Sequence, residues 1–293
     1  MAAKSLVWFI TGSSQGLGKY LTEIALSRGD RVIATARSVD PIKHLESEKC
    51  KTLQLDVTDG FDAIQAVVQE AMNVWGKVDV VVNNAGIGSP GITEEAGAAG
   101  YLKAFNINLF GAMNVTVAFL PFLRAQKSGT IVLMGSRHAW KSQHAFIGSY
   151  SSSKAALHAW GEGLSAEVRP FGIKVLIVQP GATRTSIIAT AQKNPLGGHT
   201  IDAYDGMRQI GAQRYKNQDG KQPNDPVKAM TAVVDVVRGE GPAAGKDLPL
   251  WLVLGKDAEE DLRENIRQRL ENLEEFKDIT RSIAVESDDA VFI

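Results

Sequence analysis

The stretch Thr11-Gly12-Ser13-Ser14-Gln15-Gly16-Leu17-Gly18 follows a short apolar run, Leu6–Thr11, and precedes a helical pattern that extends to about Arg28. The apolar run predicts a buried strand, and the periodic segment predicts a helix with one packed face. Glycines between the two allow a tight turn and let backbone N–H groups approach a ligand. Because a helix N-terminus carries partial positive charge, this junction predicts a phosphate-binding loop. A tight turn without a ligand is the alternative.

Strand and helix patterns alternate along most of the 293 residues. Helices are expected at about 60–75, 94–127, 150–169, 226–238 and 256–278. Seven strands are expected: Leu6–Thr11, Arg31–Ala36, Lys51–Leu55, Val78–Val82, Gly129–Met134, Ile173–Gln179 and Leu250–Leu254. Alternation at this spacing is typical of right-handed βαβ units. The predicted fold is therefore α/β: a Rossmann-type, doubly wound, seven-stranded parallel sheet with helices on both faces, in a single domain over residues 1–293.

The composition narrows the classes of partner. With 32 basic and 33 acidic residues the net charge is −1, which gives no electrostatic reason to expect nucleic acid or a membrane surface. No apolar run reaches the ~20 residues of a membrane span, so none is expected. Cys50 is the single cysteine, which excludes an internal disulfide and fits a cytoplasmic location. The five histidines lack metal-ligand spacing, so no metal site is expected.

Two segments depart from the regular alternation. The region at about 186–225 contains the breakers Asn194-Pro195, Gly197-Gly198 and Gln222-Pro223, and we interpret it as a substrate lid. The C-terminal extension at about 256–293 begins with a charged helix and ends in a tail, from Ser282, that is expected to be poorly ordered. Apolar residues recur at helical spacing in this helix: Leu262, Ile266, Leu270, Leu273 and Phe276. They predict a helix packed by one stripe, with a solvated acidic face.

Tyr150-Ser-Ser-Ser-Lys154 places a phenol and an ammonium on one face of a predicted helix, one turn apart. A neighbouring ammonium favours the phenolate and lowers the phenol pKa. The pair could therefore act as a general acid/base in the reduction of a carbonyl or the oxidation of an alcohol. A surface tyrosine beside a solvated lysine is the bland alternative.

With these motifs the chain resembles the short-chain dehydrogenases/reductases. The motifs stand in the order found in that family: Thr11 to Gly18, Asp56-Val57, Asn83-Asn84-Ala85-Gly86, Asn108, Ser136, Tyr150 to Lys154, and Pro180-Gly181 with Thr185. The part from Leu248 onward is similar to a subgroup related to 17β-hydroxysteroid and retinol dehydrogenases. The resemblance implies hydride transfer between a nicotinamide cofactor and a small-molecule carbonyl or alcohol. It also implies a homodimer or homotetramer.

The resemblance assigns four residues to the reacting centre. Tyr150 gives or takes the proton, and Ser136 donates a hydrogen bond to the substrate oxygen. Lys154 binds the nicotinamide ribose and lowers the pKa of Tyr150. Asn108 holds a water that continues the proton path; Asn106 competes for this role, but the downstream glycine favours Asn108. The separation between Ser136 and Tyr150 is one residue longer than the family's, which a loop insertion would absorb.

The end of the second strand predicts which cofactor is used. An acidic residue there would bind the ribose 2′-OH of NAD. This chain has Ala36 and then Arg37, whose guanidinium suits a 2′-phosphate. We therefore expect NADP(H), with Ser13 as a second donor; an arginine that merely ends an exposed strand is the alternative. The residues expected to bind the cofactor are Thr11, Gly12, Ser13, Ser14, Gly16, Leu17, Arg37, Asp56, Val57, Asn83, Ala85, Gly86, Tyr150, Lys154, Pro180, Gly181, Thr183 and Thr185.

Three functions fit these motifs to different degrees. The leading interpretation is an NADP-dependent oxidoreductase acting on a moderately apolar ketone or secondary alcohol. Trp140 and Phe146 either wall its cleft or pack against neighbouring loops, and the sequence leaves both alternatives open. The second is an NADP-binding redox sensor without turnover; such proteins typically lack the tyrosine or the lysine, and this chain has both. The third is a nucleotide-sugar epimerase or dehydratase. Such enzymes have a TGxxGxxG pattern in the phosphate loop, which this chain lacks.

Overall fold

A seven-stranded parallel sheet in the order β3-β2-β1-β4-β5-β6-β7 forms the centre of the protein, in a computed structural model that describes residues 5–192, 196 and 199–284. All neighbouring strands pair in parallel. The strands are β1 Val7–Ile10, β2 Arg31–Ala36, β3 Cys50–Gln54, β4 Val80–Asn83, β5 Gly129–Met134, β6 Ile173–Pro180 and β7 Trp251–Leu254. The Rossmann-type fold predicted from the sequence is confirmed.

Helices cover both faces of this sheet. They are α1 Gly16–Ser27, α2 Phe61–Trp75, α3 Thr93–Phe105, α4 Gly111–Gln126, α5 Gly148–Val168, α6 Ile187–Gln192, α7 Asp205–Gln218, α8 Pro226–Arg238, α9 Lys256–Glu275 and α10 Lys277–Ser282. The alternating side chains of β1 show why two layers form. Phe9 belongs to the core beneath α2, α4 and α5, whereas Trp8 and Ile10 belong to the core beneath α1 and α8.

One long apolar segment, Thr93–Gln126, joins α3 and α4 through a π-helical turn at Asn106–Phe110. By length and hydropathy this is the one helix, among the described residues, that could cross a membrane. Half of its most apolar window is buried inside the fold, as is usual for the core helix of a globular domain. The segment is therefore weak evidence for a span.

The region 186–225 is more regular than the sequence predicts. Its breakers Asn194-Pro195 and Gly197-Gly198 lie outside the described residues, but α6 and α7 are both helical. Helix α7 was not predicted because its sequence lacks an apolar stripe, and Gly211 is its one buried residue. Contacts with α3 hold it: Arg208 pairs with Glu95, and the Tyr204 hydroxyl donates to Glu94 at 2.7 Å.

The C-terminal helix packs over less of its length than predicted. Ala258, in its first turn, is fully buried. Leu270 and Leu273, further along the apolar stripe, are 59% and 52% exposed. The expected packing of the whole stripe is therefore wrong for the described part of the chain, because α9 extends beyond the neighbouring loops after its first turns. The tail from residue 285 lies outside the described residues.

Candidate active site

The loops after β1 and β4 are fastened to each other at the carboxyl edge of the sheet. The Thr11 hydroxyl oxygen accepts hydrogen bonds from the backbone N–H groups of Asn84 and Ala85, both at 2.9 Å. In return, Nδ2 of Asn84 donates to the carbonyls of Thr11 and Gly12, at 2.8 and 3.1 Å. The sequence did not single out the Asn84 side chain, yet it fixes the conformation of the phosphate loop.

The phosphate loop itself turns through two glycines with positive φ. Gly12 has φ +71°, and a Cβ on it would lie 3.0 Å from the backbone of Ala85. Gly16 has φ +58° and faces Thr185 across the cleft. Ser14, Gly16 and Leu17 are partly exposed at this turn. The loop thus turns sharply after β1 and lies close to the loop after β6, with its backbone accessible to a phosphate.

Two predicted cofactor residues point their side chains into the interior instead. Ser13 is fully buried, and its hydroxyl donates to the carbonyl of Ile10 at 3.0 Å. Asn83 is also buried, with Nδ2 donating to the Thr116 hydroxyl at 2.8 Å. In this structure the Ser13 side chain is therefore not the expected second donor to a 2′-phosphate, and the Asn83 amide stabilises the contact between β4 and α4.

Arg37 and Asp56 lie at the ends of β2 and β3. Arg37 is exposed and makes no hydrogen bond or ion pair with any residue that the structure describes. One carboxylate oxygen of Asp56, Oδ1, accepts from the backbone and hydroxyl of Thr58, at 2.9 and 2.7 Å. Asp56 thus caps its loop, and Val57 beside it is buried. The position of Arg37 leaves its guanidinium available to a ligand.

The three central residues of the predicted reacting centre do come together. Ser136 is buried just after β5, and its hydroxyl is near enough to Tyr150 to favour the phenolate of that residue. The Ser136 oxygen also accepts from the backbone of His138 at 3.1 Å. Lys154, one turn along α5 from Tyr150, is buried and donates from Nζ to the carbonyl of Met134 at 2.6 Å.

Burial controls the protonation of this pair. It raises the pKa of Tyr150, and the hydrogen bond from Ser136 only partly opposes that effect. Burial lowers the pKa of Lys154 to about 8. The expected lowering of the Tyr150 pKa by Lys154 is thus wrong for this structure, because desolvation of the phenolate outweighs the effects that favour it. The Lys154 ammonium donates its hydrogen bond to the backbone carbonyl of Met134.

Asn108 lies in the π-helical turn, and both the oxygen and the nitrogen of its side chain form hydrogen bonds within the protein. Its Oδ1 accepts from the backbone of Ile87 at 2.8 Å. Its Nδ2 donates to the carbonyl of Ile87 and to the Ser153 hydroxyl, at 3.1 and 3.0 Å. A Cβ on Gly86 would lie 3.1 Å from Asn108 Oδ1 and 3.6 Å from Lys154 Nζ. Asn108 therefore borders the site, but its amide holds the loop after β4 and helix α5.

The end of β6 forms the opposite wall. Pro180 ends the strand, and Gly181 donates its backbone N–H to Leu254 of β7 at 2.7 Å. The Thr183 side chain is buried and donates to the carbonyl of Gly181 at 3.1 Å. Thr185 precedes α6, and its hydroxyl accepts weakly from the backbone N–H of Ile187 at 3.5 Å, as a helix-capping side chain does. Its partly exposed side chain faces Gly16.

A buried histidine, His158, lies beneath the reacting centre, and the sequence motifs did not indicate its role. His158 accepts at Nε2 from the backbone N–H of Ser136, at 3.3 Å. Desolvation, together with the charge of Lys154, lowers the pKa of His158 to about 4. A Cβ on Gly135 would lie 2.1 Å from this Nε2, so the histidine fits only because residue 135 is glycine. The glycine directly before Ser136 was the available signal in the sequence.

Aromatic residues wall the space in front of Tyr150. The His138 ring lies 6.1 Å from the Tyr150 ring, and His144 lies 6.2 Å from His138. Phe146 adopts a positive φ of 74° and packs against Gly211 of α7. No group of three or more potential metal-ligating residues occurs within the described ranges. The arrangement can bind an apolar molecule, donate a hydrogen bond to its polar atom and transfer a proton.

The chain matches the family model for short chain dehydrogenases over residues 6–195. It is 34% identical over 258 residues to oxidoreductase BOA17 of Botryotinia fuckeliana, covering 87% of this chain and 90% of that protein. It is 32% identical over 260 residues to a 3-ketodihydrosphingosine reductase of Bacteroides thetaiotaomicron, covering 88% and 94%. A solved short-chain dehydrogenase from Streptomyces avermitilis superposes with a TM-score of 0.83 at 34% identity, covering 96% of this chain and all of that one.

Two less similar solved structures share the fold alone and contain nicotinamide cofactors. A short-chain dehydrogenase/reductase from Burkholderia phymatum, in complex with NAD, superposes at 19% identity with a TM-score of 0.76 and full coverage of both chains. A short-chain dehydrogenase from Burkholderia cenocepacia, in complex with NADP, superposes at 21% identity with a TM-score of 0.69, covering 94% of this chain and 98% of that one.

Proposed function

The chain belongs to the short-chain dehydrogenase family, and from that premise we propose that it is an NADP(H)-dependent oxidoreductase acting on a moderately apolar ketone or secondary alcohol. The observation that carries this proposal is the convergence of Ser136, Tyr150 and Lys154 at the carboxyl edge of the sheet, beside the glycine-rich loop. Ligands of open α/β sheets bind at that edge.

The residues present fit a nicotinamide dinucleotide. Gly12, Gly16 and Gly86 have no side chains at this edge of the sheet, so their backbone can approach a pyrophosphate closely. An ammonium has three donors, and Lys154 directs one of them at Met134, which leaves others for ribose hydroxyls. Arg37 is exposed at the end of β2, and its guanidinium would be available to a 2′-phosphate on the adenosine ribose. When bound, NADPH supplies the hydride.

The chain's own residues would manage the proton and the charge. Ser136 donates to the substrate oxygen as negative charge grows there, because a preplaced donor costs no reorganisation during the reaction. Tyr150 has a pKa raised by burial, so at neutral pH it holds its proton and acts as the acid in ketone reduction. Lys154 lies one turn away, and its ammonium, held at the carbonyl of Met134, would bind the nicotinamide ribose.

The substrate class follows from the cleft walls. The His138 ring lies against Tyr150, and Trp140 and Phe146 of the same segment pack against His158 and Gly211, so this segment offers aromatic surface to a substrate. The relative named as a 3-ketodihydrosphingosine reductase acts, by its name, on a ketone, which supports a carbonyl substrate here. We also propose that the protein is cytoplasmic, in agreement with its buried free thiol. We expect a homodimer or homotetramer, because Phe110, just before α4, and Val117, on α4, expose apolar surface.

The test replaces Tyr150 with phenylalanine and follows NADPH absorbance with a panel of aromatic and alicyclic ketones. We expect turnover by the unmodified protein and a loss of at least about a hundredfold in Tyr150→Phe, the scale of general acid catalysis. NADPH binding, measured by its fluorescence, should change little. An unmodified protein that binds NADPH tightly and turns over no carbonyl or alcohol would instead support a redox sensor.

A further inference from the structure

The first turns of α9 contact the loop that carries Ser136. Asp257, Asp261 and Asn265 are spaced four residues apart and therefore share one face of the helix. Arg137 Nη1 lies 2.8 Å from Asp257 and 2.8 Å from Asp261, and Lys141 Nζ lies 2.9 Å from Asp261. Asn265 Nδ2 donates to the carbonyl of Trp140 at 3.0 Å.

Asp257 also contacts a second loop of the site, the one after β6. Its Oδ2 accepts from the backbone N–H of Ala182 at 2.8 Å. Its Oδ1 accepts from Nδ2 of Asn224 at 2.7 Å, and Asn224 Nδ2 also donates to the carbonyl of Ala182. A Cβ on Gly181 would lie 2.1 Å from Asp257 Oδ1, so the carboxylate reaches this loop only because residue 181 is glycine.

These contacts differ from the other ion pairs of the helix. The side chains of Arg137, Asp257 and Asp261 are 20%, 21% and 17% exposed. The pair of Lys256 with Glu260 is 87% and 66% exposed and stays within α9. Exposed pairs along a helix contribute little, whereas partly buried pairs with several hydrogen bonds hold their partners in one geometry.

We propose that Asp257 is a positioning residue that sets the distance between the two loops facing each other across the reacting centre. One loop carries Ser136 and His138, and the other carries Thr183. Asp261 and Asn265 contact only the first of these two loops. This inference rests on the proposed function and gives the acidic C-terminal helix a role in the reaction through its first three turns.

The contacts predict different kinetic effects for neighbouring carboxylates. Asp257→Ala releases both loops, so we expect a lower kcat and a higher KM for NADPH, each by about tenfold, since small misplacements of catalytic groups reduce rate strongly. Asp261→Asn releases the Ser136 loop alone, so the KM for the ketone should rise about threefold to tenfold while the KM for NADPH stays unchanged. Glu260→Gln, on the exposed face of the same helix, is the matched control and should change none of these constants.

Asp257→Asn removes the negative charge of Asp257 but keeps an oxygen that can accept a hydrogen bond from Ala182. It provides a second test if Asp257→Ala fails to fold. The amide carries no charge to pair with Arg137, and its NH2 group replaces the oxygen that accepts from Asn224. We therefore expect Asp257→Asn to raise the KM for the ketone as Asp261→Asn does, and to raise the KM for NADPH less than Asp257→Ala does.

Hydrogen exchange separates this inference from the proposed function. Asp257→Ala should speed exchange in both 137–141 and 181–185, and Asp261→Asn in 137–141 alone, whether or not any ketone is turned over. Kinetic constants and exchange rates in Asp257→Ala equal to those of the unmodified protein would overturn the proposal. So would the same change in every constant for Asp257→Ala and Asp261→Asn, because a merely structural role would not distinguish the two loops.

Discussion

Gly18 lies in the first turn of α1, where the helix passes directly under the phosphate loop. A Cβ there would come within 2.3 Å of both the Gly12 carbonyl and Asn84 Nδ2. Gly18→Ala should therefore displace the Asn84 side chain and the carbonyls that it holds. We expect NADPH binding to weaken by about tenfold or more, as a loss of 1.4 kcal/mol or more would produce. Titration of NADPH fluorescence measures it.

Gly163→Ala is the matched control for that substitution. Gly163 lies inside α5, and a Cβ on it would meet no heavy atom within 4 Å. Alanine is favoured over glycine in a helix interior by up to about 1 kcal/mol, so this variant should be slightly more stable. It should bind NADPH normally. Equal affinities for Gly18→Ala and Gly163→Ala would contradict the role of Gly18 in the loop.

Arg37 carries the prediction of cofactor choice. Its guanidinium has no partner in the described part of the chain, so Arg37→Ala costs the fold little. It removes a charge that only a 2′-phosphate would use. We expect the KM for NADPH to rise about tenfold or more and that for NADH to change little, in steady-state assays with both cofactors. Equal effects on the two constants would remove the assignment to NADP.

Contacts between site residues could be predicted where the two residues belong to one short sequence motif. Tyr150 and Lys154 are one helical turn apart, so their proximity follows from the sequence. The roles of Asn84, His158 and Asp257 were missed because each acts on a backbone group far away in the chain. The direction of the Tyr150 pKa was wrong for a related reason: a sequence shows which charge is nearby, but not how much water is removed.

At the scale of secondary structure, elements with a clear apolar pattern were predictable, and an element held by polar contacts was not. The strand β4 begins with three consecutive valines, Val80–Val82, that are buried on both faces, and such runs identify the centre of a parallel sheet. Helix α7 lacks this signal, since its packing depends on polar contacts from Arg208 to Glu95 and from Tyr204 to Glu94. These partners lie more than a hundred residues earlier, on α3.

The apolar stripe of α9 gives a prediction at this scale. Leu270 is 59% exposed, whereas Leu157 of α5 is 1% exposed. Leu270→Ser should change the free energy of unfolding by less than about 0.5 kcal/mol, as for other surface substitutions. Leu157→Ala, the contrasting core variant, should cost about 2–5 kcal/mol. Urea denaturation measures both. A large loss in Leu270→Ser would mean that the stripe is covered in solution.

For the molecule as a whole, the sheet and the helices on its two faces place every loop of the site at one edge. The core beneath α2, α4 and α5 extends directly under that edge, and His158 on α5 is buried there. A neutral imidazole is part of this packing: Ser136 donates to Nε2, and Gln179 contacts Nδ1 at 3.3 Å. Protonation of His158 would place a charge in the interior, close to Lys154.

The stability of the whole fold should therefore decrease in mild acid. The pKa of His158 is lowered from 6.5 to about 4 in the folded state, whereas the unfolded chain keeps the ordinary value. Between these values the unfolded state binds a proton that the folded state does not, so stability falls as the pH falls and is unaffected by this group at higher pH. His158 alone should account for about 2 kcal/mol between pH 7 and pH 5.

His158→Gln tests this linkage, because glutamine keeps a hydrogen-bond acceptor for Ser136 and does not titrate. We expect the variant to be less stable than the unmodified protein at pH 8, where the cost reflects packing alone. The loss of stability between pH 7 and pH 5, from urea denaturation at each pH, should then be smaller in the variant by about 2 kcal/mol. His138, whose pKa burial also lowers to about 4, should supply part of the loss that remains. Parallel stability curves for the two proteins would show that His158 does not couple folding to pH, and that its imidazole is more hydrated than the packing beneath Ser136 implies.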